Sequence, residues 1–378
     1  MAFRLQGINK KEVGVKMKKR LLILVVLTAL LMIGCSKGDK KNGAEVTPSE
    51  EPTSGVIETT PTAAPTKAEE SHEGQVKSLL TGQWVKEEVG MKRPFAIMLN
   101  NIEYASPQSG TTEASILYEA LAEGGITRLM GIFEELNDKR IGSTRSARHY
   151  FVSVADEYNA IFVHYGQTTY ATKKIKELGI DTLSGLSSIG ETVFYRDNSI
   201  KAPHNAFTSK EGIEKGMKIK GYETDYSKDY EGHFKFYDED TTPDSNDAVS
   251  KLSLSFSSIS NPYFTYDEST KTYLRYQFGK SHIDKNTGKQ LAYKNIIIQL
   301  VKEWNKDNHG YQTMDIENAE GKGYYITDGK RIKITWKKNE NTKKMRYYDS
   351  TGEELTINPG KTYIALFPEN REEHIQIN

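Results

Sequence analysis

Arg145 and Arg148 stand three residues apart at the head of a helical pattern, with Ser143 and Thr144 just before them as capping residues. Side chains three apart share one side of a helix, and cations at a helix N-terminus oppose its dipole. That placement makes physical sense where an anion sits between them and the free backbone N–H groups. His164 follows the strand pattern Ala160–Val163 directly, and in open α/β sheets the carboxyl ends of strands line the ligand crevice. Arg196, Lys201, His204 and Asn205 fall on one loop bounded by Pro203, just ahead of a helix start at Ser209. Together these residues predict an anion pocket, with arginine suited to bidentate contact with phosphate or carboxylate. A structural reading stands beside it. In that reading the arginines pair with Glu113, Glu119, Glu123, Asp156 and Asp197, and His164 and His204 are satisfied within the fold.

Other chemistry fails on its residues. There is no Walker loop, no dinucleotide fingerprint and no His-Glu-x-x-His helix, and the single cysteine is Cys35. Gly185–Gly190 misses the Gly-x-Ser-x-Gly elbow by one residue. Asp284–Gly288 begins like a calcium loop but lacks the later charged residues, so an Asx turn is expected. With no nucleophile and base at a specific spacing, the expected role is a noncatalytic binding protein. Its ligand would be a phosphate-bearing cell-wall molecule, or a protein partner, and no cofactor or metal is expected. The enzyme question stays open. Under the alternative, a cell-wall phosphotransferase or hydrolase, Glu113 or His164 would serve as base. The arrangement then resembles the LytR-CpsA-Psr phosphotransferases, which implies Arg145 and Arg148 on pyrophosphate and Glu113 on magnesium. The Arg-Asp pair of those enzymes is unmatched at Arg145-Ser146.

The elements that must position these groups read as α/β. Phe95–Leu99, Ile126–Glu134 and Ala160–Val163 are strand patterns, and Ala147, Phe151, Val154, Ala155 and Tyr158 recur at helical spacing between the last two. Residues 117–123 suit either a helix face or a strand that returns through a hairpin at Gly124-Gly125, the reading favoured here. Past the acidic, Pro-containing stretch around 238–244 the pattern turns strand-rich: Tyr263–Tyr266, Tyr273–Phe278, Asn295–Val301, Tyr324–Thr327, Ile332–Trp336 and Thr362–Phe367. The expected fold is an α/β domain with a mixed sheet over residues 79–240, followed by a smaller β-rich (α+β) domain over 245–378, the latter a twisted antiparallel module.

The N-terminus says where the chain resides. Lys18-Lys19-Arg20 precedes the apolar run 21–34, too short for a stable span and shaped like a secretory signal. Its Leu31-Met32-Ile33-Gly34-Cys35 ending resembles the bacterial lipobox, which implies a lipid on Cys35 and attachment to the outer face of the cell membrane. Met17 is a second candidate start. Residues 35–78 carry Pro, Ser, Thr, Ala, Glu and Lys without an aromatic residue up to Lys77, a composition that cannot bury enough apolar surface to fold. As a flexible tether of about 40 residues this segment reaches on the order of 35 Å on average. Beyond the leader 44 basic residues face 50 acidic ones, a net charge of −6, so no nucleic-acid partner is expected.

Several runs carry a family resemblance: Arg93-Pro94-Phe95-Ala96, Pro107-Gln108-Ser109-Gly110, Glu123-Gly124-Gly125-Ile126-Thr127-Arg128, Ile141–Arg148 and Lys201-Ala202-Pro203-His204-Asn205. With Ile334-Thr335-Trp336 and Asn358–Thr362, they make the chain similar to the YerB-like family of bacterial lipoproteins over nearly all of 85–370. The family is an uncharacterised two-part domain. The resemblance implies a lipid-anchored envelope protein and supplies no catalytic residues.

Overall fold

The computed structural model describes residues 71–338 and 344–378. The expected signal peptide over residues 1–34, Cys35 and residues 36–70 of the expected tether lie outside the described residues. The folded part begins earlier than residue 79. Gln75–Lys77 pairs antiparallel with Trp84–Lys86, and His72 stacks on Trp84 at 3.9 Å.

A ten-stranded mixed sheet organises the molecule. In chain order its strands are β1 (Phe95–Leu99), β2 (Ile116–Leu121), β3 (Thr127–Phe133), β4 (Ile161–His164), β5 (Thr182–Ser184), β6 (Asn295–Val301), β7 (Glu320–Thr327), β8 (Lys330–Lys338), β9 (Met345–Tyr348) and β10 (Thr362–Pro368). Their order across the sheet is β9-β8-β7-β6-β10-β2-β3-β1-β4-β5. Strands β2, β3, β6 and β10 are buried along their whole length, as expected for strands covered on both faces. The favoured hairpin is present: β2 and β3 pair from Ile116↔Ile132 to Leu121↔Thr127. Its connection is longer than two residues, because both Gly124 (φ 69°) and Gly125 (φ 73°) adopt left-handed conformations within a short 3₁₀ turn.

The second half of the chain is β-rich, as expected, but it is not a purely antiparallel module. Its β6 and β10 pair parallel to one another, and β10 pairs parallel to β2, so five strands from beyond residue 245 extend the sheet begun by the first half. The rest of that half forms a six-stranded antiparallel sheet that includes Lys251–Leu254, Tyr263–Asp267, Thr272–Gln277 and Ile375–Ile377. It packs on one face of the large sheet, with Phe264 4.8 Å from Tyr363 and Phe256 4.9 Å from Phe367 between ring centroids.

A helix covers the other face. Helix α1 (His149–Glu157) lies over β2, where the Tyr158 and Tyr118 hydroxyls meet at 2.8 Å. Helix α2 (Thr169–Leu178) starts at Thr168, whose hydroxyl accepts from the Ala171 N–H, and stops at Gly179 in the left-handed region. The helix expected from Ser209 is α3 (Lys210–Lys220), capped by the Ser209 hydroxyl on the Gly212 N–H at 3.1 Å. Among the described residues no helix is long and apolar enough to cross a membrane.

Candidate functional site

Side chains alternate along β3, and Arg128 lies opposite Ala120 of β2, on the face that α1 covers. This arginine is the group that the loop-and-helix reading missed. It is only 3% exposed, in a run that otherwise reads as apolar strand. The visible signal was a cation inside Thr127-Arg128-Leu129-Met130, directly after the Gly124-Gly125 turn.

Strand β1 runs antiparallel to β3 and its carboxyl end reaches the same place. Asn100, the next residue after β1, places its side-chain amide 3.2 Å from the Ser143 hydroxyl and 3.0 Å from His204 Nδ1. The amide must donate, so Nδ1 accepts and the histidine proton resides on Nε2. A cleft of about 220 Å³ opens here, lined by Tyr104, Arg140, Ser143, Ile200, His204 and Lys285 among others. The peptide bonds Ser106–Pro107, Gly142–Ser143 and Ala202–Pro203 around it are cis.

The stretch 143–148 is extended, not helical. Thr144 donates to the Ala206 carbonyl (2.7 Å), Arg145 to Met98 (3.0 Å) and Ala147 to Gly166 (2.9 Å). Backbone donors spent on neighbouring strands cannot wind a helix, so α1 begins at His149. Arg148 is its N-cap residue and makes no side-chain cap bond. The expected placement of Arg145 and Arg148 within a first helical turn is therefore corrected.

The charges around this helix start are unequal. Arg148 grips Glu123 with two bonds, Nε to Oε1 at 2.6 Å and Nη2 to Oε2 at 2.5 Å, and its Nη1 donates to the carbonyls of Ser146 and Ala147. Burial raises the Glu123 carboxyl, but the bonds and charge of Arg148 outweigh it and hold the group below its ordinary range. Arg128 has no such partner. Its Nη1 is enclosed without a hydrogen bond. Burial, then Arg148 and Arg145, push its ionisation down to about 9. Arg145 donates from Nη1 to the Pro203 carbonyl at 3.0 Å, while its Nε is enclosed and unpartnered. Burial and Arg148 lower it as well. The His204 ring is lowered by burial, Arg145 and Arg128, in that order. Arg148 thus engages Glu123, whose charge also reaches Arg128, while Arg145 and His204 lie near one another within the field of Arg128.

The remaining predicted residues divide. His164 is fully buried, held 2.8 Å from the Gly166 carbonyl and 2.8 Å from the Thr182 hydroxyl, and burial takes it to about 4. It is a satisfied core histidine outside the cleft. Arg196 donates to Asn205 Oδ1 (2.7 Å) and to the Tyr165 hydroxyl (3.0 Å), so these two residues bind each other on the hairpin of Phe194–Arg196 and Ala206–Thr208. Lys201 is exposed near the mouth, its backbone N–H donating to Tyr104 at 3.1 Å. Asp197 pairs with Arg140 at 2.8 Å. Glu113 accepts from the backbone of Asn137 and Asp138 beside Asp284, and it is not among the charges that act on the three arginines. The carboxylate that meets Arg148 is therefore Glu123, and Glu113 is held elsewhere by the backbone of Asn137 and Asp138. Asp284 is the Asx turn expected, accepting from the Asn286 N–H at 2.7 Å and from the Thr112 N–H at 2.7 Å.

A second buried polar cluster lies on the opposite face of the sheet. Glu119 accepts from Arg275 (2.6 Å), Tyr363 (2.7 Å), Thr127 (2.6 Å) and Asn101 (3.0 Å), and Arg275 abuts His282, which binds Gln108 at 2.6 Å. Every one of these groups is enclosed, and the cluster ties the six-stranded sheet to the large one.

A mixed α/β sheet built from both halves of the chain, with a cleft lined by Arg140, His204 and Lys285 past the carboxyl end of β1, defines a two-part domain. The chain belongs to the DUF3048 family of proteins of unknown function, matching its N-terminal domain over residues 80–223 and its C-terminal domain over residues 252–364. It is 33% identical over 296 residues to the "Putative lipoprotein YerB" of Bacillus subtilis strain 168, which covers 78% of this chain and 87% of that one. The crystal structure of the YerB protein from Bacillus subtilis matches with a TM-score of 0.71 at 30% identity, over 80% of this chain and 99% of that chain.

Proposed function

We propose that this chain is a lipoprotein held to the outer face of the bacterial cell membrane through Cys35, and that its folded part binds a phosphate-bearing envelope ligand without catalysis. The observation that carries the reading is Arg128, a buried guanidinium with no acidic partner, beside Arg145 and next to a carboxylate already bound to Arg148. Isolated buried charges are costly, and an anion that reached Arg128 and Arg145 would offset that cost with charge-assisted hydrogen bonds. The position at the carboxyl end of β1 agrees with where open α/β sheets hold ligands. The lipobox at Cys35 and the lipoprotein relative support the anchor. The test is calorimetric titration of inorganic phosphate into the full-length chain in detergent. Saturable binding that is lost in Arg145→Gln is expected, and the absence of binding to the unaltered chain would refute the reading.

A further inference from the structure

We infer that a second groove, between helix α2 and the hairpin that pairs Glu303–Asn305 with Gln312–Met314, binds an uncharged sugar. The inference is independent of the phosphate reading. Tyr170, Lys173, Lys174 and Glu177 fall at i, i+3, i+4 and i+7 and share one stripe of α2. On the hairpin Trp304 stands opposite Thr313, and the Lys306 N–H donates to the Tyr311 carbonyl at 2.6 Å. Strand alternation therefore puts Trp304, Lys306, Tyr311 and Thr313 on one face. That face meets α1 and α2: His149 Nε2 lies 2.6 Å from the Thr313 hydroxyl, and the Tyr311 and Tyr170 rings are 6.0 Å apart. About 330 Å³ of space lies between stripe and hairpin, within the size range of small-molecule sites.

The lining has two characters. Trp304 keeps 48% of its surface exposed, an indole that the rest of the chain leaves uncovered. Around it stand Lys173, Lys174 and Lys306 against Glu177, Asp315 and Glu317, so the formal charges cancel. His149, which burial takes to about 4, adds no charge at neutral pH. Lys174 is occupied by Glu177 at 3.0 Å and Glu317 at 2.9 Å, and Lys306 sits over the Tyr170 ring at 5.3 Å. Lys173 and Asp315 enter no ion pair among the described residues, which leaves a donor and an acceptor in the same groove. An ionic ligand would bring net charge into a balanced lining. A purely apolar one would strip water from the charged rim without replacing its hydrogen bonds. A sugar suits both parts. Its C–H face covers an aromatic ring, whose face carries the negative end of the quadrupole, and its hydroxyls form charge-assisted hydrogen bonds to ammonium and carboxylate alike.

The test is calorimetric titration of the full-length chain, held in a detergent without a sugar head group. The probes are maltotetraose and N-acetylated chitotetraose, both neutral, acidic tetragalacturonate, and a net-neutral Lys-Glu tetrapeptide. At least one neutral tetrasaccharide is expected to bind saturably, with tetragalacturonate at least about tenfold weaker. Trp304→Ala should weaken the neutral sugar at least about tenfold, Trp304→Phe should keep part of the affinity, and neither should move the melting temperature, because the indole is half exposed. Failure of both neutral sugars to bind overturns the inference, as does equal affinity for tetragalacturonate or an affinity that survives in Trp304→Ala. Tighter binding of the peptide than of either sugar overturns it too, and assigns the groove to a protein segment.

Discussion

Replacing Arg128 with methionine should stabilise the protein and abolish its anion binding. Pushing this guanidinium to about 9 from the ordinary arginine value of about 12.5 corresponds to roughly 5 kcal/mol of penalty for keeping it charged at neutral pH, at 1.36 kcal/mol per pKa unit. Methionine fills the space of the stem but not of the guanidinium, so part of that gain is lost to imperfect packing. A net gain of about 1–4 kcal/mol is expected, the range seen when buried charges give way to apolar groups. The pH dependence has a definite sign. Below pH 9 the folded and unfolded chains both hold the Arg128 proton and the penalty is complete. Above it the unfolded chain holds a proton that the folded chain has released, so the stability of the unaltered protein rises with pH and the advantage of Arg128→Met shrinks. Thermal melts at pH 7, 8 and 10 with and without phosphate measure all of this. Ligand at a hundred times its dissociation constant should add about 2.7 kcal/mol to the unaltered chain and nothing to the variant. A variant that loses stability, or that phosphate still stabilises, would show that Arg128 is compensated within the fold and is not a ligand group.

Arg148→Ala should cost about 1–3 kcal/mol by leaving Glu123 without its bidentate partner, whereas Arg145→Ala should leave the melting temperature nearly unchanged; similar losses for the two would contradict their assignment to different roles. Because the folded Glu123 carboxyl sits below its ordinary value, its contribution is present above the ordinary carboxylate range and is lost as pH falls through the depressed value, so Arg148→Ala should be less sensitive than the unaltered chain to mild acid in a pH series of melts. Glu119→Ala strands the enclosed Arg275 and should cost about 3–5 kcal/mol, read by denaturant unfolding; a loss below about 1 kcal/mol would mean that the two sheets are not joined through this pair. Cys35→Ala should abolish labelling by a lipid precursor and shift the chain out of the membrane fraction, since stable attachment depends on the added chains; unchanged labelling would refute the lipobox reading.

Local chemistry made much of the fold legible. Short apolar runs bounded by turn residues placed β1, β3, β4, β6 and β10 within a residue or two, and Ser209 announced α3, because a capping hydroxyl and the residues it serves are neighbours in the chain. The Gly124-Gly125 turn favoured the hairpin over a helix for the same reason. Partners distant in sequence were not legible. Ser143 and Thr144 look like helix caps by type, yet the carbonyls of Met98, Ala206 and Gly166 claim the backbone of 144–147 and delay the helix to His149. Nothing local could show that β10 would insert beside β2 and merge the two halves into one sheet, since parallel pairing joins strands far apart in the chain.

The candidate site divides along the same line. The sequence by itself determined that Arg145, Arg148 and His204 are present on polar segments near strand ends, and that the only cysteine, Cys35, follows a basic triplet and an apolar run. The tertiary structure decided which cations are free. It set Glu123 against Arg148, turned His164 into the core between Gly166 and Thr182, closed Arg196 onto Asn205, and brought Arg128 of β3 beside Arg145 with no acid to meet it. Whether a charge is paired depends on distances of a few ångströms between residues tens of positions apart, and on how far water is excluded from them. Residue type and spacing fix neither quantity, which is why the unpartnered Arg128 emerged only once the strands were assembled.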